Sequence, residues 1–255
     1  MTGAVRRQGT TAVVPLRDGV SGKSRLAAVL DAGSRRRLVR VLARHVVETL
    51  LATDGIERVV VVTADPVFTR ETLAGLTVEV LEQPAGRPGL NGALEHAREV
   101  LAARPPGLTP GTPVPGPGRL LIAHADLPAL TGEDVTALLA EPTRVVIATD
   151  RNRSGTNLLL LPFEVDADSL SAAAKRRDLG LEGDGEGDED ADGGFRFRFG
   201  VGSLVAHLAE AEVQGLDVTV VHRPGTAVDL DTADDWSQLP DEVRTAVGQQ
   251  VPGLM

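Results

Sequence analysis

Three kinds of residue in this chain have the types and spacing to do chemistry: bases on a glycine-bearing loop, aspartates after apolar runs, and small residues ahead of helices. The loop is VPLRDGVSGKSRL, residues 14–26, with Arg17, Gly22, Lys23 and Arg25 following an apolar run that ends near Leu16. It resembles a P-loop but fails the test for one. A Walker A motif needs a glycine five places before its Gly-Lys pair, and that position holds Arg17. What remains is a turn whose amides and bases suit anionic oxygens. Solvated loop charge is the competing reading of the same bases.

The aspartates fall in HADLP, which holds Asp126, and in VDLDTADD, which holds Asp229 and Asp231. Ligands of open α/β sheets collect at the carboxyl ends of the strands, and Asp126 directly follows an apolar run. Asp229 and Asp231 are two residues apart, so an extended backbone turns both the same way. If one of them meets Asp126, the carboxylates make an oxygen-ligand site for Mg2+. Turn formation by Asp126 and helix capping by Asp231 or Thr232 are the competing uses.

Two further stretches suit anions. DRNRSGTN places Gly155 and Thr156 between a charged turn and an apolar run. RFGVGS places Gly200, Gly202 and Ser203 before a helical pattern, where a helix N-terminus would hold a carboxylate or phosphate. In QPAGRPGLNGAL, Gly89 and Asn91 open another helix. Asn91 carries a donor and an acceptor for a base or ribose, or serves as an N-cap, and Gln83 is placed to read a base edge. Two anion sites flanking a Mg2+ site suit a reaction that joins two phosphorylated molecules.

The elements that must position these residues alternate along the chain, which predicts one α/β domain over residues 1–255. Apolar runs predict strands at TAVVPL, IERVVVVTAD, TVEVLEQP, RLLIAHADLP, TRVVIATD and DVTVVH. TNLLLLPF is expected as a strand at or near an edge, and alternating FRFRFG as a short strand. Apolar spacing of three and four predicts helices over 34–53, with Ser34 as N-cap, and at LNGALEHAREVLAA and VGSLVAHLAEAEVQG. The Pro/Gly-rich segment 103–118 reads as an exposed loop, 175–194 as a disordered acidic insertion, and 245–255 as a loose tail.

Composition excludes several classes. The formal net charge is -10, and seven of the negative charges lie in residues 182–194. The remainder is too weakly charged to suggest a nucleic-acid partner, and 2% aromatic residues argue against base-stacking platforms. There is no cysteine, so thiolate chemistry is excluded. No apolar run has the length of a membrane span, and a cytoplasmic location is expected.

With these pieces in place, the sequence resembles the 2-phospho-L-lactate and phosphoenolpyruvate guanylyltransferases of coenzyme F420 biosynthesis. VPLRDGVSGKSRL, GLNGAL, ADLPAL, DRNRSGTNLLLLP, FRFGVGS, HLAEA and VDLDTADD occur in that family's order and cover nearly the whole chain. The stretches DRNRSGTN and RFGVGS are the specific ones. The resemblance implies a single nucleotide-diphospho-sugar-transferase-like α/β domain with a mainly parallel sheet. It implies that Leu16, Arg17, Gly22, Lys23 and Arg25 hold the triphosphate of GTP, and that Gln83, Gly89 and Asn91 hold the guanosine. It further implies that Asp126, Asp229 and Asp231 bind Mg2+, and that Thr156, Gly200 and Ser203 hold a small phosphorylated carboxylic acid.

By the same resemblance Lys23, Arg25 and Asp126 are catalytic, and the product passes to a deazaflavin-accepting transferase. Relatives often carry lysine where Arg17 stands, which keeps the charge but alters donor geometry. Alternatives in the same fold use 3-phosphoglycerate, a molybdenum cofactor or a sugar phosphate, and a nucleotide-binding regulator is a further one.

Overall fold

The computed structural model describes residues 9–17, 23–103, 118–163, 194–251 and 253–254. Gly22, the Pro/Gly-rich segment and the acidic stretch fall outside the described residues, apart from their flanking positions.

Seven strands form one sheet: β1 (Thr10–Leu16), β2 (Ile56–Thr63), β3 (Glu79–Glu82), β4 (Arg119–Ala123), β5 (Val145–Thr149), β6 (Thr156–Pro162) and β7 (Val218–Val221). Their order is β3-β2-β1-β4-β6-β5-β7. Only β6 runs antiparallel, pairing β4 on one side and β5 on the other. The expected edge position of TNLLLLP is therefore corrected: β6 is interior. Its residues from Thr156 to Leu161 are all buried, and an unbroken apolar run of this kind belongs to a strand covered on both faces. The edges are instead the four-residue strands β3 and β7, neither of which has a fully buried residue, and short edge strands limit unwanted pairing.

The helices are α1 (Ala32–Leu51), α2 (Pro66–Thr72), α3 (Gly89–Ala103), α4 (Gly132–Ala140), α5 (Ser203–Val213), α6 (Ala233–Gln238) and α7 (Asp241–Gln250). They cover both sheet faces. Period-two alternation sends Ala12, Val14, Val59 and Val61 into a core shared with α1, α2 and α4. It sends Val13, Val60 and Val62 into a second core with α3, α5 and the three phenylalanines Phe195, Phe197 and Phe199. A third cluster joins Leu26, Leu38, Leu42, Leu230, Val247 and Val251 beyond the carboxyl ends of the strands.

Two further expectations need correction. The N-cap of α1 is Asp31, whose side chain accepts the Ser34 backbone N–H at 2.8 Å, so the helix starts before Ser34. The end of the chain is not a loose tail. Residues 241–250 form α7, and Val251 and Leu254 are buried, because Val243, Val247 and Val251 recur at four-residue spacing and seal the third cluster.

FRFRFG is extended, but among the described residues it pairs with no strand. Its phenylalanines do alternate inward, as the pattern predicts, yet its N–H groups are taken by side chains. Arg196 N–H donates to Glu210 Oε1 at 3.0 Å, Phe197 N–H to Glu95 Oε1 at 3.1 Å, Arg198 N–H to His207 Nε2 at 2.9 Å, and Phe199 N–H to Asn91 Oδ1 at 2.9 Å. The helices α3 and α5 thus supply the acceptors that a neighbouring strand would otherwise supply.

Candidate active site

A cleft of about 440 Å3 opens at the carboxyl ends of β1 and β4. Leu16, Arg17, Lys23 and Arg25 line it from the first loop, His124, Asp126, Asp229 and Asp231 from the two aspartate segments, and Leu90 from α3. Both aspartate segments are fixed by backbone. Leu230 N–H donates to Asp126 O at 3.0 Å, which sets Asp229 and Asp231 on either side of that bond. Leu230 itself is buried in the third cluster beside Leu26, three residues after Lys23. One apolar contact set therefore supports both the first loop and the aspartate segments.

Lys23 is the centre of the charge network. Its backbone is left-handed, at φ 58°, a region that residues other than glycine seldom occupy. Its ammonium donates to Asp126 Oδ2 at 2.5 Å and to Asp231 Oδ1 at 2.6 Å. Burial works against its charge, but the two carboxylates prevail and raise its pKa. Asp126 shows the converse: burial favours its neutral form, yet Lys23 and His124 hold its pKa below the usual value. For Asp229 the balance goes the other way: burial, and then the charge of Asp126, push its pKa up against the opposing charge of His124.

Among the described residues, two buried polar atoms at this corner have no hydrogen-bond partner, Asp126 Oδ1 and His124 Nε2. The competing structural use of the second aspartate segment falls to Thr232, which caps α6 in a reciprocal box with Asp235. Asp231 is thereby left to face the cleft. Asp65 caps α2, and Asp150 accepts from the Ser154 N–H and hydroxyl, so both are committed to turns. Among the described residues, no three carboxylate or imidazole groups are yet gathered closely enough to hold a metal ion.

Of the remaining predicted residues, Gln83, Gly89, Asn91, Thr156, Gly200 and Ser203 do not line this cleft. Gly89, at φ 82°, starts α3 and leads into Leu90. Gln83 Nε2 donates to the carbonyls of Arg87 and Gly89, at 2.6 and 2.9 Å, and holds the turn before that helix. Asn91 spends both ends of its amide on Phe199, accepting its N–H and donating to its carbonyl at 3.1 Å. Thr156 and Ser203 are buried. Thr156 N–H donates to Ser203 Oγ at 2.9 Å, and the Thr156 hydroxyl meets His207 Nδ1 at 2.9 Å. Because His207 Nε2 accepts from the backbone, its proton sits on Nδ1 and is donated to Thr156. Gly200 is exposed, and Gly202, at φ 73°, is the N-cap of α5.

Sequence reasoning missed the roles of Glu95, His207 and Glu210. Their signal lay in helical spacing, since Asn91 and Glu95 are four apart and His207 and Glu210 three apart, each pair on one helix face.

The fold is the nucleotide-diphospho-sugar-transferase-like α/β fold. Among solved structures, similar folds include one from Desulfovibrio desulfuricans assigned to the nucleotide-diphospho-sugar transferases, with TM-score 0.63, 13% identity, and coverage of 96% of this chain and 92% of that one. A nucleotidyl transferase from Methanothermobacter thermautotrophicus gives 0.56 at 16% identity, over 93% of this chain and 99% of the other. The family model described as "Guanylyl transferase CofC like" matches residues 10–170, and the chain belongs to that family.

Full-length relatives agree. A phosphoenolpyruvate guanylyltransferase from Conexibacter woesei is 34% identical over 94% of this chain and 91% of its own. One from Rubrobacter xylanophilus is 35% identical over 89% and 92%. A 2-phospho-L-lactate guanylyltransferase from Methanothermobacter thermautotrophicus is 26% identical over 90% and 83%.

Proposed function

We propose that the protein transfers GMP from GTP to the phosphate of phosphoenolpyruvate and releases pyrophosphate. The observation that carries this reading is the full-length match to phosphoenolpyruvate guanylyltransferases, which is stronger than the match to the 2-phospho-L-lactate enzyme. The cleft supports it. Arg17, Lys23 and Arg25 line one cleft together with Asp126, Asp229 and Asp231, which combines the bases a triphosphate requires with the carboxylates its counter-cation requires.

In this reading an oxygen of the acceptor phosphate attacks the α-phosphorus of GTP. A P–O bond forms there as the bond to the leaving pyrophosphate breaks. The nucleophile is already anionic, so no general base is needed, and catalysis is positioning plus charge neutralisation. Leu16 and Arg17 receive the triphosphate at the end of β1, with Gly22 in the same loop. Lys23 and Arg25 offset the charge that develops on pyrophosphate. Gly89 and Leu90 cradle the guanosine, with Gln83 bracing their turn. Gly200 and the start of α5 receive the acceptor, held in place by Thr156 and Ser203.

The residues at this corner fit Mg2+. Asp126 Oδ1 is buried with no partner among the described residues, and Asp229 is forced toward its neutral form by burial and by the charge of Asp126. A hard cation with oxygen ligands relieves both. Asp126, Asp229 and Asp231 would hold it, and when bound it offsets charge on the phosphate oxygens. In the free protein the Lys23 ammonium neutralises Asp126 and Asp231 instead.

The test is pyrophosphate release from GTP with phosphoenolpyruvate, 2-phospho-L-lactate or 3-phosphoglycerate offered singly. Release that depends on phosphoenolpyruvate is expected. Release that ignores the acid, or orthophosphate in place of pyrophosphate, would contradict the assignment.

A further inference from the structure

We infer that Asn91 positions the acceptor-binding turn rather than reading the guanine base. The inference deepens the proposed function and rests on its placement of the acceptor at Gly200–Ser203. An extended segment points successive N–H groups to opposite sides. Along residues 196–199 they are therefore taken alternately by α5 and α3: Glu210, then Glu95, then His207, then Asn91. Asn91 is the last of the four and the only one that also donates back, to the Phe199 carbonyl. Both ends of its amide are engaged by Phe199, which fixes the side chain on that segment.

Position makes this bond matter. Residues 91 and 199 are far apart in sequence but adjacent in space. On one side Asn91 follows Leu90, which lines the cleft. On the other, Phe199 leads directly into Gly200 at φ 142° and Gly202 at φ 73°. Those angles fix the direction of the turn once its first residue is fixed. The Ser203 N–H then donates to Gly200 O at 3.2 Å, closing the turn at the start of α5. Asn91 thus sets the distance between the two substrates' subsites. In a reaction limited by the placement of two anions, an error of an ångström in the acceptor lowers turnover or acceptor binding steeply. The base-holding edge of α3, by contrast, keeps its own supports at Gln83 and Gly89.

The experiment compares wild type with Asn91→Ala and Asn91→Asp. Asp keeps the acceptor for the Phe199 N–H but loses the donor to its carbonyl. Kinetic constants for both substrates, the GTP dissociation constant by equilibrium dialysis, and the preference for GTP over ATP are measured. The expected result for Asn91→Ala is a rise of about 10-fold or more in the phosphoenolpyruvate KM, with GTP affinity changed less than about 3-fold and the base preference intact. Asn91→Asp is expected to lie between Ala and wild type, and it supplies the same comparison if Ala does not fold.

A loss of GTP affinity or base preference with an unchanged phosphoenolpyruvate KM would overturn the inference. So would a variant that melts earlier with both kinetic constants unmoved. If wild type makes no guanylyl adduct, the functional reading fails separately. The inference is then judged by phosphorus-NMR titration of phosphoenolpyruvate into each protein, with equal affinities counting against it.

Discussion

Lys23 shows how much one side chain can settle. Its ammonium is shared between Asp126 and Asp231, and its backbone is left-handed. The triphosphate role predicts that Lys23→Met weakens GTP far more than the acceptor. Loss of one charge-assisted bond corresponds to a rise in GTP KM of about 10-fold or more, with the phosphoenolpyruvate KM within about 3-fold. Equal effects on both constants would contradict the placement.

Asp126→Asn tests the aspartate side of the site. It keeps the shape and removes the charge, so kcat should fall by about 100-fold or more while circular dichroism shows the fold retained. Near-normal turnover would remove Asp126 from the site. Both residues were legible in sequence, because a base in a glycine loop and an aspartate at a strand end are local signals. Their mutual contact was not, since 103 positions separate them.

At the scale of elements, the segment Phe195–Phe199 divides what a pattern can and cannot tell. Alternation correctly placed its phenylalanines inward. It could not say that helix side chains, not a strand, would take its N–H groups, because period two reports facing and not partners. The same limit put β6 at or near an edge, because local sequence has no view of sheet order.

His207 makes this element sensitive to acid. Burial first, then the charges of His124 and Arg198, lower its pKa from 6.5 to about 4. The folded pKa lies below the unfolded one, so this contribution is complete above about pH 6.5 and is lost as pH falls toward about 4. A shift of that size corresponds to about 3 kcal/mol. Urea unfolding between pH 7 and 4.5 should show wild type losing stability more steeply than His207→Gln, and parallel curves would refute the assignment.

For the whole molecule, the third apolar cluster is what makes two loops into one cleft. Leu26 belongs to the turn after Lys23, Leu230 lies between the cleft aspartates, and Val247 comes from α7. The buried Leu230 predicts that Leu230→Ala costs about 2–5 kcal/mol and weakens GTP binding at a temperature where the protein is still folded. A stability loss with unchanged GTP affinity would show that the cluster does not shape the site. The α/β class was legible from alternating elements, and the cleft from aspartates placed after apolar runs. The closure by α7 was overlooked because a short amphipathic stretch beside Gly, Gln and Pro reads locally as a tail.

No described helix is long and apolar enough to cross a membrane. The central claim, that the acceptor phosphate attacks the α-phosphorus of GTP, is tested most directly with phosphoenolpyruvate carrying oxygen-18 in its phosphate. Mass spectrometry should find all of the label in the guanylyl adduct and none in pyrophosphate. Label in pyrophosphate or in recovered GTP, or no adduct at all, would contradict it.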